Sequence, residues 1–236
     1  MAKNNNLTDF LISLADKIRE KLGVTALINP QDFETKIDEI ANSGTAFLEG
    51  ILQADTNIKE IKNDNITNLR MYALAYLPYL ETVEFTALTT LNSYVFEGCS
   101  RLKTVNLPKV STLGASCFYN CKELEEFVAT TPVIISISSF KNCIKLKKAD
   151  FTYLSSAFAS SVFQGCSSLD TLIIRKTTSV VALTNVNVFS GTPIQSGTGY
   201  VYVPSTLLSS YKSSTNWITF ANQLRAIEDY PDITGG

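Results

Sequence analysis

The sequence predicts a repeat solenoid, a parallel β-sheet built from short irregular coils, with a helical module before it and a strand–helix cap after it. Three observations predict this. A Phe–Cys–Leu triplet recurs as Phe96-Cys99-Leu102, Phe118-Cys121-Leu124, Phe140-Cys143-Leu146 and Phe163-Cys166-Leu169, with steps of 22, 22 and 23 residues between phenylalanines. A fixed period of that size marks stacked coils, none of which buries its apolar side without neighbours. Each triplet leucine, and Leu80 before them, opens a six-residue segment with apolar groups or alanine at its first, fourth and sixth places. Finally, both ends of the chain leave this rhythm.

The N-terminal module is placed at residues 1–46. Leu7, Phe10, Leu11, Leu14, Ile18 and Leu22 fall on one side of a 3.6-residue helix, and Gly23 is its natural stop. Asn29 followed by Pro30 reads as a cap and first turn, opening a second helix with Phe33, Ile37 and Ile40 on one face. Ser43-Gly44-Thr45 ends it. Two compatible roles follow: a cap over the first coil, or an attachment or oligomerisation module.

The solenoid spans residues 47–194. Its segments are Leu80–Phe85, Leu102–Leu107, Leu124–Ala129, Leu146–Phe151 and Leu169–Ile174. Their fourth and sixth positions share one face of an extended chain, so each coil supplies a short strand, apolar inward and mostly polar outward. Ile58 and Ile61 stand 22 residues before Leu80 and Val83, which places a degenerate first coil at residues 51–70. A second apolar column is formed by Leu69, Leu91, Leu113, Ile135 and Phe158. Phe189 closes the series after a longer step of 26 residues, which implies an insertion.

The cap is placed at residues 195–236. Tyr200 to Val203 alternates as a strand, and Ser205 is positioned to cap a helix carrying Leu207, Leu208 and Tyr211. Trp217, Phe220, Leu224 and Ile227 read as the apolar face of a C-terminal lid.

Composition narrows the function. An apolar content of 45% supports a core without disulfides. Net charge is −2, and the 20 basic residues are dispersed, which argues against a nucleic-acid partner. No run approaches the ~18 apolar residues of a membrane span. Asp9, Asp16 and Lys17 interrupt the N-terminal apolar stretch, so it does not read as a secretory signal. The column Cys99, Cys121, Cys143 and Cys166 reads as buried, reduced thiols; a disulfide ladder or a metal site are the alternatives, and Cys117 lies outside the register.

The chain holds no histidine, which removes the commonest general base and a leading metal ligand. No nucleotide-binding loop or hydrolase elbow is present. Glu84 and Glu126 could face one another across two coils as a glycosidase pair requires, but a solvated face accounts for them better. The expectation is a non-enzymatic protein without metal or cofactor. Should it bind a ligand, the aromatic side chains available are Tyr72, Tyr76, Tyr79, Tyr94, Tyr119 and Tyr153 on the coil edges, unless these only pack with their hydroxyls at the rim.

Residues 58–190 resemble the BspA-like, or Treponema-type, leucine-rich repeat. The unit Leu102-Lys103-Thr104-Val105-Asn106-Leu107-Pro108, followed by Leu113, Phe118 and Cys121, matches nearly every apolar place of its pattern; the proline after the strand occurs only at Pro108. The resemblance implies a curved solenoid and a binding task, with no single activity. The ends have a second likeness. Ala15–Gly23 with Ile28-Asn29-Pro30-Gln31-Asp32-Phe33 and Ile37 is similar to an N-terminal module of tailed-bacteriophage structural proteins. Phe189–Ile194, Gly197–Pro204 and Tyr211–Trp217 are similar to the closure of phage-encoded repeat proteins of this type.

Together these resemblances imply a virion structural protein, a fibre, tail or head-decorating component located on the virion. Leu7, Phe10, Leu11, Leu14 and Ile18 would anchor it to other virion proteins or a sister copy in a homo-oligomer. Its solenoid would then face a host-surface glycan or protein. The alternative is a bacterial surface or interaction protein, adhesin-like, with no virion role.

Overall fold

The structure, a computed structural model, describes residues 58–176 and 178–234. The N-terminal helices and the stripe Leu7, Phe10, Leu11, Leu14 and Ile18 lie outside the described residues. Strands β1 (Glu60–Asn63), β2 (Asn68–Leu69), β3 (Thr82–Phe85), β4 (Thr90–Leu91), β5 (Thr104–Asn106), β6 (Thr112–Leu113), β7 (Glu126–Ile135), β8 (Lys148–Leu154) and β9 (Thr171–Lys176) come from the coils. All of their pairings are parallel. Each of the five segments expected to form a strand does so, and Ile61 joins them through β1, whose register sets Ile61 opposite Val83.

The second apolar column proves to be a second row of short parallel strands. Leu69, Leu91, Leu113 and Ile135 are paired in succession along β2, β4, β6 and the end of β7. Two-residue strands with one inward leucine carry too little alternation to be read as strands. β1, β3 and β5 form a three-stranded sheet, whereas β7 joins an eight-stranded sheet with β8 and β9 on one side and β6, β4 and β2 on the other. The change falls after β5, where Pro108 has no N–H for a neighbouring coil and Val105 is only half-buried.

The phenylalanines fill the centre as a stack. Phe96, Phe118, Phe140, Phe163 and Phe189 are fully buried. Successive rings lie 5.5, 5.3, 5.6 and 6.1 Å apart and within 14° of parallel. The backbone around each ring is shared between coils: Tyr94, Phe96 and Gly98 N–H groups donate to Ala115, Cys117 and Tyr119 carbonyls at 2.9, 2.8 and 2.8 Å. The thiols of Cys99, Cys121, Cys143 and Cys166 donate to the carbonyls of Leu74, Phe96, Phe118 and Phe140 at 3.0–3.1 Å. The column therefore needs a small apolar side chain with one weak donor, which cysteine supplies. All five thiols are free and buried. Burial pushes the Cys99 pKa up to about 12.

At the far end, α1 (Pro193–Ser196) leads to β10 (Tyr200–Val203), α2 (Ser205–Ser213), a 3-10 helix (Trp217–Gln223), β11 (Leu224–Ala226) and α3 (Pro231–Thr234). β10 pairs with β9, and β11 pairs with β10, so the sheet runs on into the cap. Trp217 Nε1 donates to the Val181 carbonyl at 2.6 Å and Asn216 to that of Leu183 at 2.8 Å, while the Tyr211 hydroxyl accepts from Val181 N–H at 3.0 Å. These bonds pin the inserted segment. Phe220 meets Phe189 edge-on, 5.1 Å between centroids at 85°, and ends the stack.

Two local expectations are corrected. Ser205 begins α2 and does not cap it; the Glu228 carboxylate accepts the Ser205 N–H at 3.0 Å instead. Trp217, Phe220 and Leu224 are buried as expected, with Ile227 half-buried, but they sit on a 3-10 turn and an added edge strand.

Candidate functional site

Every coil from Leu74 to Phe163 turns twice through the left-handed backbone region, two residues before and two residues after its column residue. Ser116, Ser138 and Ser161 occupy the first position at φ of 54°, 57° and 59°. Gly98, Asn120, Asn142 and Gly165 occupy the second, and these types tolerate positive φ. The first two coils depart from this rule. Tyr72 and Tyr94 take the first position, both at φ of 63°, and Tyr76 takes the second at 60°. A bulky side chain there is an outlier, costing of order 1–3 kcal/mol, and persists where the surroundings enforce it.

The stacking of coils brings these tyrosines together. Tyr72 and Tyr94 lie face to face with centroids 4.6 Å apart and planes within 7°. The Tyr76 ring rests on Gly98, where an added Cβ would come within 2.5 Å of its Cδ1. The neighbouring Glu97 carboxylate, with desolvation and nearby Tyr72 and Tyr119, raises the Tyr76 phenol above its ordinary pKa, and the Tyr76 N–H donates to the Glu97 carbonyl at 2.6 Å. Arg101 lies over the Tyr79 ring at 5.1 Å. Met71, Tyr72, Tyr76 and Tyr79 are 55, 42, 63 and 40% exposed, so the edge is open to solvent. Tyr94 and Tyr119 are half-buried beside them.

Tyr153 stands apart from this group. It lines an open cavity of about 370 Å³ with Ser155, Ser156, Thr178 and Ser179, between the end of β8 and the inserted segment.

At its C-terminal end the outer sheet face carries two tyrosines, Tyr200 half-buried and Tyr202 buried. Tyr200 continues the row of Glu126, Lys148 and Thr171, and Tyr202 that of Val128, Asp150 and Ile173. Arg225 lies over Tyr200 at 4.4 Å, and Tyr230 meets Tyr202 at 5.4 Å. Below them Asp150, nearly buried, takes two hydrogen bonds from Arg175 at 2.8 and 2.6 Å. The strand at 200–203 was legible, but its register against β9 crosses the insertion and is invisible to residue counting.

Acidic side chains on and just before the strands are tied to cations one coil away. Lys103–Glu81 is 2.9 Å, Lys145–Glu123 2.6 Å, Lys148–Glu126 3.3 Å and Lys62–Glu84 3.9 Å. Glu84 also accepts from Asn106 Nδ2 at 2.9 Å. Glu84, held by Lys62 and Asn106, and Glu126, held by Lys148, are thus each paired with a neighbouring coil. No three histidine, cysteine, aspartate or glutamate side chains among the described residues converge as a metal site would require. No described helix is long and apolar enough to cross a membrane.

The repeat register and the comparisons agree. The chain belongs to the BspA-type leucine-rich repeat family, whose profile matches residues 35–134, 67–195 and 129–216 in six copies. That family is a non-catalytic protein-binding framework, and the chain is not an enzyme. Its fold is similar to that of the pneumococcal vaccine antigen PcpA, with a TM-score of 0.54 and 22% identity over 72% of this chain and 40% of PcpA. The chain thus spans about two fifths of that protein's length. The leucine-rich repeat protein TpLRR of T. pallidum aligns at a TM-score of 0.49 and 16% identity, over 62% of this chain and 69% of TpLRR. Comparison with curated proteins gives no significant match.

Proposed function

We propose that the chain is an adhesin-like interaction protein whose first coils present a tyrosine edge to a partner protein. One observation carries the reading. Tyr72, Tyr76 and Tyr94 hold strained positions that the later coils give to serine, glycine or asparagine, and all three gather on one exposed edge. None of the three belongs to the buried core. Large aromatic anchors at modest entropy cost are what protein interfaces favour.

A virion role rests on the resemblance of the two ends. Neither the family match nor the two bacterial structures brings in a virion protein, so the broader interaction reading is the one adopted.

The test is a photo-crosslinking amino acid at Met71, 55% exposed beside the tyrosines, against the same probe at Ile144, 41% exposed in a later coil. In culture of the native source, the Met71 probe gives a discrete protein adduct that the Ile144 probe does not. Equal labelling from both positions, or none, overturns the reading. A capsid or tail protein in the adduct would move the partner to the virion.

A further inference from the structure

We propose that the cavity beside Tyr153 binds one neutral sugar ring, a hexopyranose either free or ending a glycan. It shares no residue with the tyrosine edge, and it exists because the repeat lengthens there. Asn63 to Leu69, Phe85 to Leu91, Leu107 to Leu113 and Ala129 to Ile135 are each steps of six residues. The next two coils take seven, from Phe151 to Phe158, and nine, from Ile174 to Leu183. Phe158 and Leu183 still meet as parallel neighbours. The surplus chain ahead of them therefore cannot lie flat, and about 370 Å³ opens between residues 153–157 and 178–182.

Both walls are held by the surrounding fold. Ser155 N–H donates to the Val133 carbonyl at 3.0 Å, and Ser156 Oγ accepts from Ile135 N–H at 3.3 Å. Opposite, the Ala182 carbonyl accepts from Phe158 N–H at 2.9 Å, while Tyr211 and Trp217 take the N–H and carbonyl of Val181. A site fixed in this way loses little freedom when a ligand enters.

The lining sets the chemistry. Leu154 and Val181, 5 and 7% exposed, are its buried apolar part, and Tyr153 is the one aromatic among the described lining residues. The hydroxyls of Tyr153, Ser155 and Thr178 have no hydrogen-bond partner among the described residues. Each can both donate and accept. No described lining residue carries a charge, so an ion would shed water there without a counter-charge. A pyranose has the complementary pattern: a C–H face for the ring and the aliphatic groups, and hydroxyls around its edge for the serines and threonine. The volume is at the small end of ligand pockets, which suits one ring.

The experiment titrates the full chain with methyl glycosides of glucose, galactose, mannose and N-acetylglucosamine, read by saturation-transfer NMR. At least one should bind saturably, with affinity reduced at least tenfold in Tyr153→Ala and at least threefold in Thr178→Val. Tyr76→Asn, on the tyrosine edge, should bind it as the parent does. Methyl glucuronide should bind no better than methyl glucoside. A disaccharide ending in the favoured sugar separates the two sources: equal binding assigns the cavity to a glycan terminus, and lost binding assigns it to the free sugar. No saturable binding by any of the four glycosides overturns the proposal. So does tighter binding of the glucuronide, or unchanged affinity in Tyr153→Ala and Thr178→Val with an intact near-ultraviolet signal from Trp217.

Discussion

The coils before Pro108 and the coils after it are built from one repeat to two different ends. In the first half, β1, β3 and β5 make a narrow sheet of three strands, and β5 spans only three residues. Of the four left-handed positions described there, three hold tyrosine, Tyr72, Tyr76 and Tyr94, and Gly98 holds the fourth. In the second half, β7 runs for ten residues through both columns, and β8 and β9 follow with seven and six. Left-handed positions hold serine, asparagine and glycine, and Trp217, Tyr211 and Phe220 close the stack. A solenoid shares stability mainly between neighbours, so one end can carry local strain while the other supplies closure.

The largest effect expected in the closed half is at its centre. Phe140 is fully buried between Phe118 and Phe163 and touches Phe127. Phe140→Ala should cost about 3–5 kcal/mol, read as a lower urea midpoint at unchanged slope. A loss under about 1 kcal/mol would mean the stack is not what holds the coils together.

Next comes the ion pair beneath the outer face. Arg175→Met leaves Asp150 nearly buried, with Lys148 at 3.9 Å as its remaining cation. A loss of about 3 kcal/mol is expected, with partial recovery in the Asp150→Asn, Arg175→Met double variant. Additive losses in that cycle would show that the two side chains do not depend on one another.

A smaller effect belongs to the cap. The Glu228 carboxyl is held below the usual carboxylate range by backbone N–H groups, its own first and then that of Ser205. A depressed folded pKa stabilises above the unfolded value and is lost as pH falls through the folded one. Glu228→Gln should thus cost about 1 kcal/mol at neutral pH, as a lost helix cap does, and match the parent once the pH has fallen below the depressed carboxyl pKa. Parallel melting curves across that range would remove Glu228 from the cap. The smallest effect is none at all: with five free thiols buried, the melting temperature should not move on adding a thiol reductant, and thiol reagents should react only on unfolding.

Much of the repeat architecture was legible because its signals are periodic. The inward residues Val83, Phe127, Ala149 and Leu172, the phenylalanine column and the cysteine column all recur at coil spacing, and all are buried. What escaped was not periodic. β4 and β6 are two residues long, β11 follows an insertion, and the helix cap comes from Glu228, 23 residues away from Ser205. The site was half legible. The exposed tyrosines could be picked out by type and place, yet their left-handed backbone and the stacking of Tyr72 on Tyr94 arise only when coil stacks on coil.

The division of labour between the halves is tested most directly by one variant. Tyr72→Ser, Tyr76→Asn and Tyr94→Ser together give the first coils residues that the later coils hold at the same positions. Made in the chain carrying the Met71 photoprobe, it should keep its melting temperature within about 4 °C of the parent or raise it, as the loss of ring stacking offsets the relief of backbone strain. Partner capture should disappear. A variant that melts many degrees lower, or that captures the partner as well as the parent does, would contradict the account, because those tyrosines would then serve the fold or nothing at all.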